Sequence, residues 1–480
     1  MSKVLNIQPV TRIEGHAKVT ITLDDAGNVA DTKVHVLALR GFEKFCEGRP
    51  IEEMPRIVTQ ICGICPWPHH LASAKAADGC LSATPPPAAV KIRQLMNNIT
   101  YVGDKILNFY FLAAPDFVIG PDADYSVRNV IGIVQAAPDI ARQAVRMRQM
   151  VTNIVENFAG RAIHPTLCLP GGVSKPMTEA ERQEILPQAQ ELLEFAKFSM
   201  KFAKENVFPK YLDAIKTIGV ITVGYLGTVK EDGTNELYDG KLRLMKPDGS
   251  YEDFDYEQYP DYIGEWVEPW SNLKFPYARK WGKPSLSLEN PTAIYRTNCL
   301  ARLNVADKMA TPLAQAELEE FRAAFGRPAH YTLLYHYARL IELLQCAEQA
   351  VELLNDPEIT DPNFRAQVEP KAGRGVGCVE APRGTLIHDY TTDEEGMVAS
   401  LNLIVGTTHN NAAINLSAHQ AAKEFIKGGK YDQGILNRVE MAIRAYDPCL
   451  SCATHRLDGG VGVEVTVFDV TGKQIAQMRN

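Results

Sequence analysis

The stretch that decides the fold lies near the C-terminus and reads Asp447-Pro-Cys-Leu-Ser-Cys-Ala-Thr-His455. Two thiols three residues apart can bind one metal ion, because a turn of that length directs both sulfurs to the same point. A second pair lies far upstream in Gln60-Ile-Cys-Gly-Ile-Cys-Pro-Trp-Pro-His69, where Gly63 allows a tight turn between the sulfurs. The sequence therefore offers four thiolates and a histidine to a single site.

The long separation of the two pairs bears on the kind of site they form. The four cysteines are Cys62, Cys65, Cys449 and Cys452, and 384 residues lie between the two pairs. Closing a loop of that length in an unfolded chain costs roughly 5 kcal/mol of entropy, so a metal ion is poorly suited to nucleate this fold. Structural zinc sites usually draw on cysteine pairs a few tens of residues apart. A redox or catalytic metal is favoured, and structural zinc is the alternative.

The composition bounds the class of protein. The 480 residues are 45% hydrophobic and 22% charged with a net charge of −8, which is typical of a soluble globular protein and argues against nucleic-acid binding. We find no signal peptide and no run approaching the roughly 20 apolar residues of a membrane span, so we predict a cytoplasmic protein. In a reducing compartment, paired cysteines bind metal or do redox work more often than they form disulfides. The other six are predicted to be buried free thiols: Cys46, Cys80, Cys168, Cys299, Cys346 and Cys378.

The apolar periodicity predicts an α+β fold that is mainly α. Residues 4–40 alternate as strands around a turn at 24–28, which predicts a small N-terminal antiparallel sheet. Residues 218–290 are β-rich and are interpreted as an insertion in a single domain spanning 1–480, and the tail 456–480 contains a small hairpin signal. Helical periodicity predicts a large bundle built from six segments: 89–113, 123–158, 177–205, 313–354, 416–427 and 431–445.

The cysteine pairs belong to a longer series of motifs. Cys-x-x-Cys-x-x-x-His, followed much later by Asp-Pro-Cys-x-x-Cys-x-x-His, resembles the large subunit of nickel-iron hydrogenases. Four further segments fall in that family's order: Arg12-Ile-Glu-Gly-His16, Arg40-Gly-Phe-Glu43, Ala381-Pro-Arg-Gly384 and Gly406-Thr-Thr-His-Asn-Asn411. The resemblance covers nearly the whole chain. It implies an enzyme that cleaves H2 reversibly into protons and electrons.

The resemblance also implies a ligand set. Cys62 and Cys449 would be terminal nickel ligands, while Cys65 and Cys452 would bridge nickel to an iron that carries carbon monoxide and cyanide. Soft thiolates suit nickel. Cleavage of H2 would be heterolytic, with the thiolate of Cys449 as the first base and Arg383 as an alternative base or helper.

Glu14 is the candidate for the next proton acceptor. A glutamate that exchanges protons with a buried thiol needs a pKa near neutral, which apolar neighbours around Ile13 could provide. The alternative is an ordinary salt bridge between Glu14 and Arg12.

Other residues match family positions around the centre. The resemblance implies a magnesium ion bound by Glu43, His455 and the backbone carbonyl of Leu403, and oxygen ligands suit that ion. Glu43 could equally be a plain surface charge, Asp447 a turn residue and His69 a structural histidine. The remaining expectations are Thr407 and the backbone around Arg383, with Pro382 before it, as the cyanide-binding groups, His69 beside Cys65, and Asp116 and Asp447 around Arg383.

Two features depart from the family pattern. The residue two positions before the first cysteine is usually Arg and here is Gln60, which removes a charge near the cluster. In the family, a protease usually removes everything after the final histidine, which predicts cleavage between His455 and Arg456. Retention of the tail is the alternative.

The electrons need a route out. The chain has no further cysteine cluster for an iron-sulfur relay, so we expect a separate iron-sulfur small subunit. The sequence resembles the cytoplasmic bidirectional and heterodisulfide-reductase-linked, methyl-viologen-reducing branch, so the next partner would be a flavin-containing NAD or ferredoxin module or a heterodisulfide reductase. Two other classes are the alternatives. A relative of the quinone-side subunit of respiratory complex I would lack the cysteine pairs. A zinc-stapled binding protein would contain zinc instead of nickel, and a hydrogen sensor would bind H2 without turnover.

Overall fold

The computed structural model describes residues 3–454 and, within the tail, the backbone of two strands, 464–468 and 474–479. Helix accounts for 50% of the chain and strand for 19%, so the predicted α+β, mainly α class is confirmed. Within the described residues, no helix combines the length and the apolar character that crossing a membrane requires.

Fifteen α-helices lie in the described part of the chain. They are α1 (Phe42–Cys46), α2 (Met54–Ile57), α3 (Pro66–Cys80), α4 (Pro87–Leu107), α5 (Val130–Ala136), α6 (Pro138–Ala159), α7 (Glu179–Asn206), α8 (Leu212–Thr217), α9 (Tyr259–Tyr262), α10 (Cys299–Val305), α11 (Pro312–Phe325), α12 (Tyr335–Asn355), α13 (Gly406–Phe425), α14 (Gln433–Arg444) and α15 (Leu450–Ala453).

The described strands form six small sheets. They are β1 (Lys3–Ile7), β2 (Ala17–Leu23), β3 (Val29–Val36), β4 (Cys168–Leu169), β5 (Gly172–Val173), β6 (Gly224–Val229), β7 (Lys241–Met245), β8 (Tyr251–Phe254), β9 (Ile263–Trp266), β10 (Phe275–Ala278), β11 (Tyr295–Arg296), β12 (Gly373–Ala381), β13 (Gly384–Thr392), β14 (Val398–Ile404), β15 (Glu464–Phe468) and β16 (Gln474–Arg479). The sheet orders are β1-β2-β3, β4-β5, β11-β6-β7-β8, β9-β10, β12-β13-β14 and β15-β16.

The N-terminal sheet forms as the alternation predicts. In β2, alternate residues from Ala17 to Leu23 are buried, while the residues between them are partly exposed. The turn closes where the carbonyl of Asn28 accepts from the amide of Asp24 at 2.8 Å. The buried face packs on α13, which fixes the N-terminal segment against the C-terminal third of the chain.

The helices form a bundle, but several boundaries differ from the prediction. α12 packs on α4 and α7, and α4 packs on α6. The predicted helix 313–354 is two helices, α11 and α12, because Gly326 and the Arg327-Pro328 step interrupt it. The predicted helix 123–158 begins only at Val130 and breaks at Ala137, before Pro138.

Two more helix boundaries differ from the prediction. The predicted helix 416–427 begins ten residues earlier, at Gly406, because the polar residues at its start are buried rather than exposed. The α-helix predicted over 89–113 gives way to π-helical turns at Asn108–Ala113 and Pro115–Ile119, which sequence periodicity does not show. The prolines at 85–87 come after α3, which ends at Cys80, and Pro87 starts α4.

The range 218–290 contains five strands. β6, β7 and β8 pair antiparallel, whereas β6 pairs in parallel with β11, which lies outside that range. Apolar residues of this sheet share a core with β12, β13 and β14. In the tail, β15 and β16 pair antiparallel, where a hairpin was predicted. Whether 218–290 is an insertion in a single domain stays a prediction.

Alternate glycines on β12 allow α3 to lie directly on that strand. A Cβ atom at Gly373, Gly375 or Gly377 would lie 1.9 to 2.3 Å from a backbone carbonyl oxygen of α3, at Cys80, Ala76 or Ala72. No side chain fits there. This contact positions the helix that follows Cys65 against the hairpin that carries Arg383.

We therefore expect Gly377→Ala to destabilise the protein by about 1–3 kcal/mol, because the added methyl group must separate α3 from β12. The control is Gly63→Ala, since a Cβ at Gly63 meets no atom within 4 Å and its backbone lies outside the left-handed region. Urea unfolding of both variants checks this. Equal stability of the two variants would contradict the packing argument.

Candidate metal centre

The two cysteine pairs are presented by similar local structures. Cys62 has extended backbone after a short 3₁₀ turn, and Cys65 occupies the N-cap position of α3. Cys449 immediately precedes α15, which contains Cys452. The turn at Gly63 does not require glycine, because its φ lies outside the left-handed region and a Cβ atom there would meet open space.

The four sulfurs converge on one point. The Sγ–Sγ distances are 3.3 Å for Cys62–Cys449, 3.5 Å for Cys65–Cys452, 3.9 Å for Cys65–Cys449 and 3.0 Å for Cys449–Cys452. All four sulfurs lie within 4.8 Å of one another and all four side chains are buried. Four sulfurs around a metal at about 2.3 Å have this order of spacing. The donor set therefore fits a thiophilic metal, and no second group of this kind occurs in residues 3–454.

Without a metal, the thiols share protons unequally. Hydrogen bonds from the other three thiols, with a smaller contribution from the amide of Cys65, lower the pKa of Cys62 far below its usual value. Burial raises the pKa of Cys449 and of Cys452 well above the ordinary thiol value. A metal ion that binds all four sulfurs must displace the protons held by the buried thiols.

Glu14 lies against the second cysteine pair. Its Oε2 accepts from the amide of Ser451 at 3.0 Å, and its backbone pairs with the segment around Cys449. A Cβ atom at Gly15, whose φ is +83°, would lie 2.9 Å from Cβ of Leu450, so only glycine allows this close approach. The alternative interpretation of Glu14 as the salt-bridge partner of Arg12 is wrong.

Arg12 pairs instead with Asp116. The distance from Arg12 Nη2 to Asp116 Oδ1 is 2.5 Å, and Arg444 binds the other carboxylate oxygen. Burial raises the pKa of Asp116, but Arg444 and Arg12 together lower it below its ordinary value. Asp116 also lies 3.9 Å from Arg128, and the carboxylates that pair with Arg383 are Asp104 and Asp447, so the expectation of Asp116 as a carboxylate around Arg383 is corrected.

Arg383 lies in the two-residue turn between β12 and β13 and is buried. Its Nη1 donates to Asp104 Oδ2 at 2.9 Å, and its Nη2 lies 3.0 Å from Asp447 Oδ2. Burial lowers the pKa of Arg383, but the nearby charges of Asp104, Asp447 and Cys449 outweigh it and keep the group protonated. Nε is buried and donates no hydrogen bond within the described residues, whereas Nη2 has its ion pair with Asp447. A group bound at the cysteines would find the Nε donor unused.

The sequence predicted Asp447 beside Arg383 but missed Asp104. Asp447 has a left-handed φ of +53°, which an aspartate tolerates better than most residues. Asp104 lies in the last turn of α4, where a charged residue next to Lys105 reads as part of a polar helix face. Its burial, with 4% of the residue exposed, could have been suspected only from the unusual Gly103-Asp104-Lys105 sequence on an apolar face.

Three other predicted site residues, Thr407, Pro382 and His69, each make a hydrogen bond within the protein. Thr407 Oγ1 accepts from the amide of Cys449 at 3.0 Å. The carbonyl of Pro382 accepts from Lys105 Nζ at 3.0 Å. His69 Nδ1 lies 3.2 Å from His388 Nε2, within the buried side of α3.

The predicted magnesium site is described only in part. Glu43 Oε1 accepts from the amide of Leu403 at 2.9 Å and lies 3.3 Å from Lys274 Nζ. Lys274 is fully buried and also lies 3.0 Å from Glu265. His455, the third expected ligand, lies outside the described residues. Sequence reasoning missed Lys274 and Glu265, which lie in the β-rich stretch far from the motifs.

Sequence reasoning also missed the role of Arg40. Its Nη1 donates to the carbonyl of Ile61 and lies 3.5 Å from the carbonyl of Ser451. One guanidinium therefore joins the two cysteine-bearing segments. It also supplies a positive charge close to Gln60, whose carbonyl it contacts at 3.4 Å.

A cavity of about 250 Å³ leads to this centre. Its wall includes exposed Ile64 and Ile163 at one end and buried Cys65 and Asp104 at the other. Most of the wall is apolar, with Asp104 and Arg148 as its charged residues, so the cavity offers a small uncharged molecule a largely apolar approach to Cys65.

Comparison with known proteins decides the family. The sequence profile described as "Nickel-dependent hydrogenase" matches residues 40–125 and 295–455, and the one described as "HoxL-like" matches 4–39. The chain belongs to the nickel-dependent hydrogenase family. The predictions of an enzyme and of a hydrogenase large subunit are confirmed, and a nickel-iron active site follows from family membership.

Individual hydrogenases match over almost the whole chain. One subunit of the F420-non-reducing hydrogenase of Methanothermobacter thermautotrophicus is 46% identical, covering 99% of both chains. The NAD-reducing hydrogenase HoxS subunit beta of Cupriavidus necator is 37% identical, also covering 99% of both. A crystal structure of an NAD+-reducing [NiFe]-hydrogenase in the H2-reduced state is 39% identical and superposes with a TM-score of 0.89, covering 94% of this chain and 99% of the other.

We expect nickel binding by the metal-free protein to weaken as the pH falls from about 9 to about 6. A thiol whose pKa is raised keeps its proton at neutral pH, so the metal competes with protons and lower pH favours the protons. Calorimetric nickel titrations in two buffers of different ionisation enthalpy measure both the affinity and the protons released.

The controls for this titration are two cysteine substitutions. Cys452→Ser should weaken nickel binding, whereas Cys46→Ser should not, because Cys46 is buried outside the cluster. Nickel binding that is independent of pH would show that the thiols are already ionised.

Proposed function

We propose that this chain is the H2-cleaving subunit of a cytoplasmic hydrogenase, with nickel on Cys62 and Cys449 and with Cys65 and Cys452 bridging to an iron that carries carbon monoxide and cyanide. The convergence of four buried sulfurs within 4.8 Å carries this proposal. When bound, such a centre supplies an open coordination position and accepts the electrons of H2. The chain's own residues then have to accept the proton, stabilise charge and exclude water.

Glu14 is the proposed carrier of the proton that leaves Cys449. Its carboxylate is fixed by the amide of Ser451, two residues beyond Cys449, and its backbone pairs with Cys449 itself. A base must be held close to the proton donor throughout turnover, and these contacts supply that constraint. Partial exposure of Glu14 allows it to pass the proton on to water.

Arg383 is proposed to stabilise charge at the reacting position. Its two carboxylate partners orient the guanidinium through Nη1 and Nη2, and its Nε donor remains available to the bound group. A preorganised cation in a water-excluded site stabilises developing negative charge without reorganisation. The backbone amide of Arg383, the residue after Pro382, and the hydroxyl of Thr407 are proposed to fix the diatomic ligands of iron.

Magnesium is proposed beside the centre, on Glu43, the carbonyl of Leu403 and His455. Two carboxylates, Glu43 and Glu265, share one ammonium group, that of Lys274. The described donors therefore carry excess negative charge, which suits a divalent cation. Within the described residues, Oε1 of Glu265 has only that ion pair with Lys274. Two partly buried carboxylates beside one ammonium group leave negative charge that a further cation can neutralise.

An iron-sulfur small subunit is the proposed recipient of the electrons. The cluster comes nearest to the surface at Gly63 and Ile64, which are exposed although they lie between buried Cys62 and Cys65. Apolar side chains flank this loop, with Ile163 54% and Phe45 54% exposed. We propose that the small subunit covers this face, and that it passes electrons to a flavin-containing NAD or ferredoxin module or to a heterodisulfide reductase.

The decisive experiment is elemental analysis of the purified protein after growth with nickel, with infrared spectroscopy between about 1900 and 2100 wavenumbers, where carbon monoxide and cyanide on low-spin iron are expected. Nickel and iron near one atom each, with bands in that window, is the expected result. Zinc in their place, with no bands, would contradict the proposal. Reduction of NAD, ferredoxin and a heterodisulfide by the assembled complex under H2 identifies the acceptor.

Glu14→Gln should lower H2 oxidation and H2/D2O isotope exchange by about 100-fold or more, because glutamine can accept the hydrogen bond of Ser451 but cannot carry the proton. Nickel and iron content should not change. Glu440→Gln is the matched control, since Glu440 is a buried carboxylate that binds Thr11 and Arg444 near the same segment. Full exchange activity in Glu14→Gln would exclude Glu14 as the proton carrier.

A further inference from the structure

The hairpin turn that carries Arg383 is buried, whereas turns usually lie at the surface. Ala381 pairs with Gly384, so Pro382 and Arg383 alone make the turn between β12 and β13. All four residues are buried. The carbonyl groups of a buried turn need hydrogen-bond donors from elsewhere in the protein.

Three helices supply those donors through side chains. The contacts are Arg302 of α10 to the carbonyl of Ala381 at 3.1 Å, Lys105 of α4 to that of Pro382 at 3.0 Å, and Asn410 of α13 to that of Arg383 at 3.0 Å. We call Lys105, Arg302 and Asn410 the turn clamp. The carbonyl of Pro382 also accepts from Arg302 Nη2 at 3.3 Å, so side chains from three different helices bind the carbonyls of the turn.

The two cations of the turn clamp are themselves fixed by buried carboxylates. Glu342 Oε2 lies 2.9 Å from Lys105 Nζ and 2.7 Å from Arg302 Nη2, and Glu380 lies 2.6 Å from Arg302 Nη1. All four side chains are at most 1% exposed. Two positive and two negative charges balance, so the network adds no net charge beneath the site. Its geometry is determined by several short contacts at once.

Lys105 is also the neighbour of Asp104 on α4. Asp104 binds the side chain of Arg383, while Lys105 binds the backbone of the same turn through Pro382. One turn of one helix therefore fixes both the backbone and the guanidinium of Arg383. A shift of the turn relative to α4 would stretch the bond from Arg383 to Asp104 and move the unused Nε donor.

We propose that Lys105, together with Arg302, is a positioning residue that fixes the guanidinium of Arg383 over the four sulfurs. This inference rests on the role proposed for Arg383 under the proposed function. Lys105 itself binds the backbone carbonyl and Glu342 and acts on the reaction through Arg383. Displacement of a charge-stabilising group by about 1 Å can lower a rate by about 100-fold.

The test compares Lys105→Met with Arg93→Met in the assembled hydrogenase. Arg93 is the matched control because it also lies on α4, is fully buried, pairs with Asp78 at 2.6 Å and donates to backbone carbonyls, but contacts no residue of the turn. We expect both variants to lose similar thermal stability. Only Lys105→Met should lower kcat, by about 10- to 100-fold, with KM for H2 and the nickel and iron contents unchanged.

A structural measurement and a milder pair of variants complete the test. In a crystal structure of Lys105→Met, the distance from Arg383 Nη1 to Asp104 should exceed 3.5 Å, which no effect on stability alone predicts. Lys105→Gln keeps a donor for the carbonyl of Pro382 and should recover part of the kcat. If the methionine variants do not fold, Lys105→Gln and Arg93→Gln give the same comparison.

The outcomes separate this inference from the proposed function. If Arg383→Lys is inactive while Lys105→Met has the kcat of Arg93→Met, the positioning role is overturned and the role of Arg383 stands. An undisturbed Arg383 in the variant crystal structure would overturn it as well. Full activity of Arg383→Lys would overturn both the role of Arg383 and the inference built on it.

Discussion

The metal centre depends on one short backbone contact between segments from opposite ends of the described chain. The amide of Glu14 donates to the carbonyl of Pro448 at 3.2 Å, and the amide of Leu450 donates to the carbonyl of Glu14 at 3.1 Å. Gly15 makes this approach possible, and the packing of the N-terminal sheet on α13 makes it stable. Arg40, which follows this sheet, binds the carbonyls of Ile61 and Ser451 and so joins the two cysteine-bearing segments, and these protein contacts rather than the metal meet the loop-closure cost.

Buried ions surround this contact in numbers that stability alone does not explain. Asp116 is shared by Arg12 and Arg444, Arg383 is shared by Asp104 and Asp447, and the turn clamp rests on two further carboxylates. Desolvating such groups costs about as much as their pairing returns, so a well-packed apolar core would be at least as stable. Ion pairs do fix distances and directions, which apolar contacts do not. Their concentration between the cysteines and α4 is consistent with a site whose geometry matters more than its stability.

The sequence predicted those parts of the site that local spacing determines. The cysteine pairs, the N-terminal sheet and the neighbourhood of Glu14 and Asp447 could be found because each depends on a few adjacent residues. Asp104, Lys274 and Arg40 could not, since their roles arise only where distant segments meet. Asp116 was misplaced for the same reason, because a motif match identifies a carboxylate without showing which arginine it pairs with. Helix boundaries failed where burial on all sides removes the amphipathic signal, as at the start of α13.

The arrangement gives the products of the proposed reaction different ways out. Glu14 approaches the cysteines from the side of residues 450 and 451 and is partly exposed, which suits a proton. Gly63 and Ile64, which lie between the buried Cys62 and Cys65, are exposed. This position suits a docked electron acceptor. Arg383 lies in a turn that three helices bind from behind, leaving no exposed residue in that turn. Charge separation at one buried point requires such a division, because a proton and an electron that left by the same path could recombine before either was used.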